Sequence, residues 1–287
     1  MSLLIFGMGY TARALLHAWP ASDPVDITVT TRSADKAERL RAEGLTVRLF
    51  PGDDLGPDLA QARRVLITAG PEDGRDPVLS RLGHEFARAR HLEWIGYLST
   101  TSVYGDHGGA WVDETTPCAP DTDRGRARVT AEDAWCTLHR EHGLPVHVFR
   151  LAGIYGPGRS PLDRLRAGTA RRIVKPGQVF SRIHVQDIAR VLLASMARPN
   201  PGAVYNVCDD APAPPQDVIA HAATLMGLAP PPEVPFDTAE LGPMARSFYA
   251  ESKRVRNDRI KTDLGVRLAY PDYRAGLAGI LASESFD

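Results

Sequence analysis

Residues 3–12 read Leu3-Leu4-Ile5-Phe6-Gly7-Met8-Gly9-Tyr10-Thr11-Ala12, an apolar run followed by two glycines and then a small residue. This is the G-x-G-x-x-(G/A) spacing, placed between a strand candidate and a helix candidate, where it makes a phosphate-binding loop. Gly7 allows the tight turn, and Gly9 has no side chain to block a pyrophosphate. Ala12 lets the helix pack close to the strand. The helix start, at Tyr10 and Thr11, offers unpaired N–H groups and about half a positive charge to the phosphates. Met8 belongs to the same cofactor-facing stretch.

Outward from this loop, apolar runs rich in β-branched residues alternate with amphipathic stretches. Strands are expected at Leu3–Phe6, Asp26–Thr30, Thr46–Phe50, Val65–Thr68, Trp94–Leu98, Val146–Arg150 and Val204–Val207. Helices are expected at Thr11–Trp19, Asp35–Ala42, Asp76–Arg90, Arg126–His142, Val185–Ala197 and Gln216–Met226. Pro77 sits just inside one helix start, and Gly44 and Gly143 follow two helix ends. Strand–helix alternation of this kind predicts an α/β fold, a Rossmann doubly wound parallel sheet covered on both faces. Residues 153–176 break the rhythm with Gly, Pro and Arg, and proline-dense stretches at 211–215 and 230–235 do so again. The expected organisation is a dinucleotide-binding domain over 1–152 plus 177–210, with a smaller C-terminal substrate lobe from 153–176 plus 211–287.

The end of the second strand selects the cofactor. An NAD site places Asp or Glu there, about 20 residues beyond the glycines, for the ribose 2′-hydroxyl. Here the residues are Thr30-Thr31-Arg32-Ser33, with no carboxylate until Asp35. Arg32 and Ser33 suit a 2′-phosphate, the arginine through paired charge-assisted bonds, so NADP is expected over NAD. The alternative is that Arg32 is a surface residue at a helix start. Asp53, with Asp54, follows the third strand and either meets the adenine edge or closes a turn after Pro51-Gly52. Ala69 and Gly70, after the fourth strand, complete the expected cofactor-binding set.

Composition excludes other classes. The 287 residues carry a net charge of −1, with 43% hydrophobic and 24% charged residues, which speaks against nucleic acid or an anionic membrane as partner. No segment approaches the ~18 apolar residues of a membrane helix, and Leu3–Phe6 is too short for a signal peptide. Cys118, Cys136 and Cys208 have no metal-like spacing and read as reduced thiols in a cytoplasmic protein, with no metal expected.

Further motifs together resemble one family. Leu98-Ser99-Thr100-Thr101-Ser102-Val103-Tyr104-Gly105 is similar to the Ser/Thr-rich fifth-strand end of extended short-chain dehydrogenases/reductases. Arg150-Leu151-Ala152-Gly153-Ile154-Tyr155-Gly156-Pro157-Gly158, Ile183-His184-Val185-Gln186-Asp187-Ile188-Ala189 and Tyr205-Asn206-Val207 resemble later segments of that family, in order. The resemblance implies hydride transfer at a nicotinamide. A Tyr-x-x-x-Lys pair would exchange the proton, and a Ser or Thr would hold the reacting oxygen. Thr100 matches the Ser/Thr position. Arg124 stands where the Tyr belongs and Arg128 where the Lys belongs. Arg128 keeps the charge and can still bind the cofactor ribose. Arg124 cannot carry the proton, because a guanidinium is always charged.

Substitute acids or bases are Tyr104, Tyr155, His107, Asp106 and Glu114, all expected on loops near the carboxyl edge of the sheet; exposed or structural roles are the competing readings. Thr101-Ser102 stands where sugar dehydratases of the family place Asp-Glu, which disfavours elimination. Asp76 either caps a helix or serves the site. Arg159, Arg164, Arg171 and Arg172 either bind a substrate anion or form a solvated face. Two functions follow: an NADP-dependent oxidoreductase or epimerase on a small polar, sugar-like or nucleotide-sugar substrate, or a non-catalytic NADP-binding sensor. In relatives the helices at 76–90 and 126–142 pair two subunits. Here Arg81, Arg88, Arg90, Arg128 and Arg140 are expected on their exposed faces, leaving monomer or homodimer open.

Overall fold

A computed structural model of the chain describes residues 2–284. Its first half runs β1 (Ser2–Phe6), α1 (Tyr10–Ala18), β2 (Asp26–Thr31), α2 (Ala34–Ala42), β3 (Thr46–Leu49), α3 (Gly56–Gln61), β4 (Arg64–Ile67), α4 (Leu79–Arg88) and β5 (Trp94–Thr100). Then come β6 (Trp111–Val112), α5 (Asp123–His142), β7 (Val146–Leu151), β8 (Gly153–Tyr155), α6 (Pro161–Arg166), β9 (Arg172–Val174), β10 (Arg182–His184), α7 (Val185–Ala197) and β11 (Val204–Val207). The chain finishes with α8 (Pro215–Leu225), β12 (Glu233–Pro235), α9 (Pro243–Phe248), β13 (Arg254–Val255), α10 (Asp258–Thr262) and α11 (Tyr273–Glu284).

Seven of these strands make one parallel sheet in the order β11-β7-β5-β4-β1-β2-β3. β1 pairs with β2 on one side and β4 on the other, both parallel. The strand order therefore reverses beside β1, the place where open α/β sheets bind ligands at their carboxyl ends. The central strands are buried on both faces, which explains why β5 and β7 read as nearly continuous apolar runs rather than alternating ones. Aromatic side chains fill one face: Phe6 meets Phe50 edge-on at 5.3 Å between ring centroids, and Phe86 meets Trp135 at 5.0 Å.

The expected strands and helices are present, with ends displaced by a few residues. The largest displacement is in the helix expected over Asp76–Arg90, which spans Leu79–Arg88. The Asp76 carboxylate accepts from the amides of Val78 and Leu79, both at 2.9 Å, so the first turn is closed by a side chain before the regular helix begins. The short elements escape the period-based reading, among them α3 and α6, which are little more than a single turn, and so does the twelve-residue α11, which lacks a clean polar face.

The residues divide into two compact units. One contains 2–100, 123–150 and 189–205 and holds the large sheet; the other contains 101–122, 151–188 and 206–284. In the second are three two-stranded pieces, β8 with β10, β9 with β12 and β6 with β13, while α6, α8 and α11 pack around Tyr155 of β8.

Within the first unit His147 is fully buried. Its Nδ1 faces the Ile95 carbonyl at 3.2 Å, and its Nε2 accepts the Asn200 amide at 2.9 Å, which fixes one neutral tautomer. Burial pushes its pKa from 6.5 down to about 4. The unfolded chain then holds the extra proton between those values. Stability is complete above pH 6.5 and falls as pH drops toward 4, by about 3 kcal/mol from this group. Urea midpoints measured from pH 7 to 4.5 should decline accordingly, and a flat profile would contradict it.

Candidate active site

The glycine loop is built as its sequence demands. Gly7 has φ +98°, a left-handed value that glycine adopts without cost, and an added Cβ would stand 2.6 Å from Thr68 Oγ1. Two threonines brace it: the Gly7 amide donates to Thr30 Oγ1 at 2.9 Å, and Thr68 Oγ1 donates to the Gly7 carbonyl at 2.6 Å. At Gly9 an added Cβ would meet nothing within 4 Å, so the space over the loop is open for a pyrophosphate. α1 then begins at Tyr10 with no acidic residue in its first turn, while Thr11 and Ala12 are buried against the sheet. A dinucleotide fits these residues.

At the end of β2, Ser33 caps α2, accepting the Lys36 amide at 3.2 Å. Arg32 is largely exposed and pairs with Glu72 at 2.5 Å. Sequence reasoning missed a second cation: Lys36 Nζ donates to the Met8 carbonyl at 2.6 Å, inside the glycine loop. The signal was there, since Lys36 lies in the first turn of the helix that Ser33 opens. Asp53 accepts the Leu49 amide at 2.8 Å, and Asp54 accepts that of Gly56 at 2.9 Å, so both carboxylates have roles in the turn after β3.

Ala69 and Gly70 follow β4, with the Ala69 amide donating to the Phe6 carbonyl at 3.1 Å. Gly70 is bare for a steric reason: a Cβ there would stand 2.8 Å from Arg128 Nη2. Arg128 reaches from α5 to the edge of the sheet, where its Nη1 donates to the Leu98 carbonyl at 2.6 Å and to the Tyr97 hydroxyl at 3.2 Å. This corrects the expectation that Arg128 lies on the exposed face of the helix. The arginine is the cation fixed between the ends of β4 and β5, and Thr100 is the last residue of β5. Arg124 is exposed, one turn earlier on α5. Asp76 is buried beneath, its second oxygen accepting from Trp135 Nε1 at 3.1 Å. Burial raises its pKa against these bonds and the nearby Arg128 charge.

The substitute acids and bases belong to the second unit. Tyr104 and Tyr155 are buried there instead of standing on open loops. The Tyr104 hydroxyl donates to Asn206 Oδ1 at 2.7 Å, and the Tyr155 ring packs against Gly276, where any side chain would collide with it. Burial raises the Tyr155 pKa far above the phenol range, which suits packing and not proton exchange. Glu114 accepts the Asn206 amide at 2.8 Å, and burial raises its pKa. Asp106 accepts the Ser252 amide at 2.7 Å, and His107 Nε2 lies 3.1 Å from the Tyr104 carbonyl. Of the lobe arginines, Arg171 donates to the Glu240 carbonyl and Arg172 pairs with Glu233 at 3.0 Å across β9 and β12; Arg159 and Arg164 are exposed. Among the described residues no cluster of His, Cys, Asp and Glu could hold a metal, and no helix is long and apolar enough to cross a membrane.

A parallel sheet with this loop at its switch point, and an arginine clamped beside it, defines a dinucleotide-binding α/β protein. The family model for the NAD dependent epimerase/dehydratase family matches residues 84–208. Protein YeeZ of Escherichia coli (strain K12) is 32% identical over 289 residues, covering 93% of this chain and 96% of that protein. A solved structure of a conserved protein from Silicibacter pomeroyi DSS is 60% identical, covers 98% of each chain and superposes with a TM-score of 0.92. dTDP-glucose 4,6-dehydratase from Bacillus anthracis, solved with NAD, shares the fold at TM-score 0.78 and 17% identity over 100% of this chain and 97% of its own. The chain belongs to the NAD-dependent epimerase/dehydratase family, within the extended short-chain dehydrogenases/reductases.

Proposed function

We propose that this chain is an NADP-dependent oxidoreductase acting on a small polar, sugar-like substrate. The observation that carries the cofactor choice is the pair of cations at the end of β2. Arg32 stands where an NAD site would have a carboxylate, and Lys36, three residues into α2, reaches the glycine loop. Arg32 would exchange Glu72 for a 2′-phosphate, while Lys36 and the Ser33 hydroxyl lie within one helical turn of it. When bound, the nicotinamide supplies or accepts the hydride. Arg128, fixed on the Leu98 carbonyl, orients the ribose beside Gly70. The Thr100 hydroxyl holds the substrate oxygen. With an arginine at 124, the proton for that oxygen comes from water, which favours simple reduction or oxidation over epimerisation, where one oxygen must lose and regain a proton in each turnover. A sugar-like substrate is supported by the names of structural neighbours, among them the dTDP-glucose dehydratase. A cytoplasmic setting is supported by three cysteines with no disulfide among the described residues. The α4 and α5 faces leave monomer and homodimer as alternatives for solution measurement.

The test is calorimetric titration with NADPH and NADH of the wild type, Arg32→Ala and Lys36→Ala. NADPH should bind more tightly than NADH, and each variant should weaken NADPH alone by about 1.5–3 kcal/mol, as for a lost charged hydrogen bond. Equal loss for both cofactors, or none, would refute the 2′-phosphate reading. The second reading, an NADP-binding sensor without turnover, draws support from Tyr104 and Tyr155 being buried while Arg124 occupies the phenol position. Hydride exchange from labelled NADPH to any sugar-like carbonyl would remove it.

A further inference from the structure

α5 carries a ladder of charged residues spaced by four, Arg124, Arg128 and Glu132. Residues at this spacing lie on one helix face, each a turn above the next. The lower two are engaged with the sheet: Glu132 holds Arg150 at 2.8 Å, and Arg128 holds the Leu98 carbonyl at 2.6 Å. The helix descends from the carboxyl edge, since the chain that follows it returns to the start of β5, where the Ile95 amide donates to the Pro145 carbonyl. One turn back from Arg128 is a rise of about 6 Å. Two strand residues beyond Leu98 span roughly 6.6 Å. Arg124 therefore lies one helical turn nearer the carboxyl edge than Arg128, as Thr100 lies two residues nearer it than Leu98.

Arg124 has no ion pair or hydrogen bond among the described residues. The nearest carboxylate along the helix, Asp123, is paired with Arg126 at 2.6 Å. An unengaged guanidinium at this height presents a planar fork of donors that pairs two-point with a carboxylate, and it can neither take nor give a proton.

We infer that Arg124 is a substrate-binding residue, and that the substrate carries a carboxylate close to its reacting carbon. This rests on the oxidoreductase reading, and it accounts for the missing tyrosine: the position has exchanged proton transfer for anion recognition. A neutral sugar hydroxyl would leave the charge unanswered, whereas an acid, such as a sugar acid or a 2-oxo acid, would meet it.

Calorimetry on the full chain, with and without NADPH, tests the inference with benzoate, methyl benzoate and inorganic phosphate as probes. Benzoate should bind at least tenfold more tightly than its ester, and Arg124→Ala should erase that difference. Arg124→Lys should retain part of it, since the charge remains but the fork is lost. NADPH affinity and the urea midpoint should be unchanged in both variants, because the side chain is exposed and unpaired. Benzoate binding that is absent, or indifferent to Arg124→Ala, would overturn the inference, as would phosphate binding more tightly than benzoate. No NADPH binding by the wild type, with Arg124-dependent benzoate binding intact, would refute the NADP reading and leave Arg124 as a carboxylate-binding residue without a role in reduction.

Discussion

Replacing Glu132 by alanine is expected to cost the fold about 3–5 kcal/mol, the penalty for stranding one member of a buried ion pair. Arg150 Nη2 and Nε approach Glu132 Oε2 at 2.8 and 3.1 Å, with side-chain exposures of only 9% and 6%. The carboxylate neutralises a guanidinium at the end of β7, where water cannot replace it. Most of the loss reflects the buried guanidinium losing its carboxylate rather than the worth of the pair itself. Replacing both partners by methionine should therefore recover much of it. Urea unfolding decides the matter: a loss below about 1 kcal/mol for Glu132→Ala would show that the guanidinium finds other compensation. The pair also bears on function, because it anchors α5 one turn below Arg128. Glu132→Gln, which keeps the shape and one acceptor, should lower stability less than Glu132→Ala.

Gly9→Val should leave stability nearly unchanged and weaken NADPH binding about a hundredfold, roughly 2.8 kcal/mol. The residue has φ −98° and ψ −165°, an extended conformation that valine adopts readily, and its Cβ would enter empty space. That same space is the approach to the helix N-terminus. Its branched side chain would hold a pyrophosphate away from the amides. Gly7 gives the contrasting case, since φ +98° and the Thr68 hydroxyl at 2.6 Å make any side chain there a folding defect first. A valine variant at residue 9 that still bound NADPH tightly would show that the phosphates take another path.

The contrast between these two glycines shows what a sequence can and cannot carry. The G-x-G-x-x-A spacing, the alternation of strands and helices, and the arginine at the end of β2 are local patterns, each legible in the sequence alone. Local patterns persist because period, turn geometry and helix start depend on neighbours within a few residues. The reading of Arg124 at a tyrosine position came instead from the resemblance to extended short-chain dehydrogenases/reductases.

The partners were not. That Lys36 reaches back to Met8, that Thr68 braces Gly7 from another strand, and that Glu72 holds Arg32 are contacts made across 28, 61 and 40 positions. Tyr104 and Tyr155 were expected on loops near the site, yet packing placed both inside the second unit. A motif records which residue stands in line, while burial depends on what the rest of the chain folds against it. Thus the sequence by itself determined the sheet and the loop. Only the tertiary structure decided which charges are spent, as at Arg128 and Arg150, and that Arg124 has no partner among the described residues.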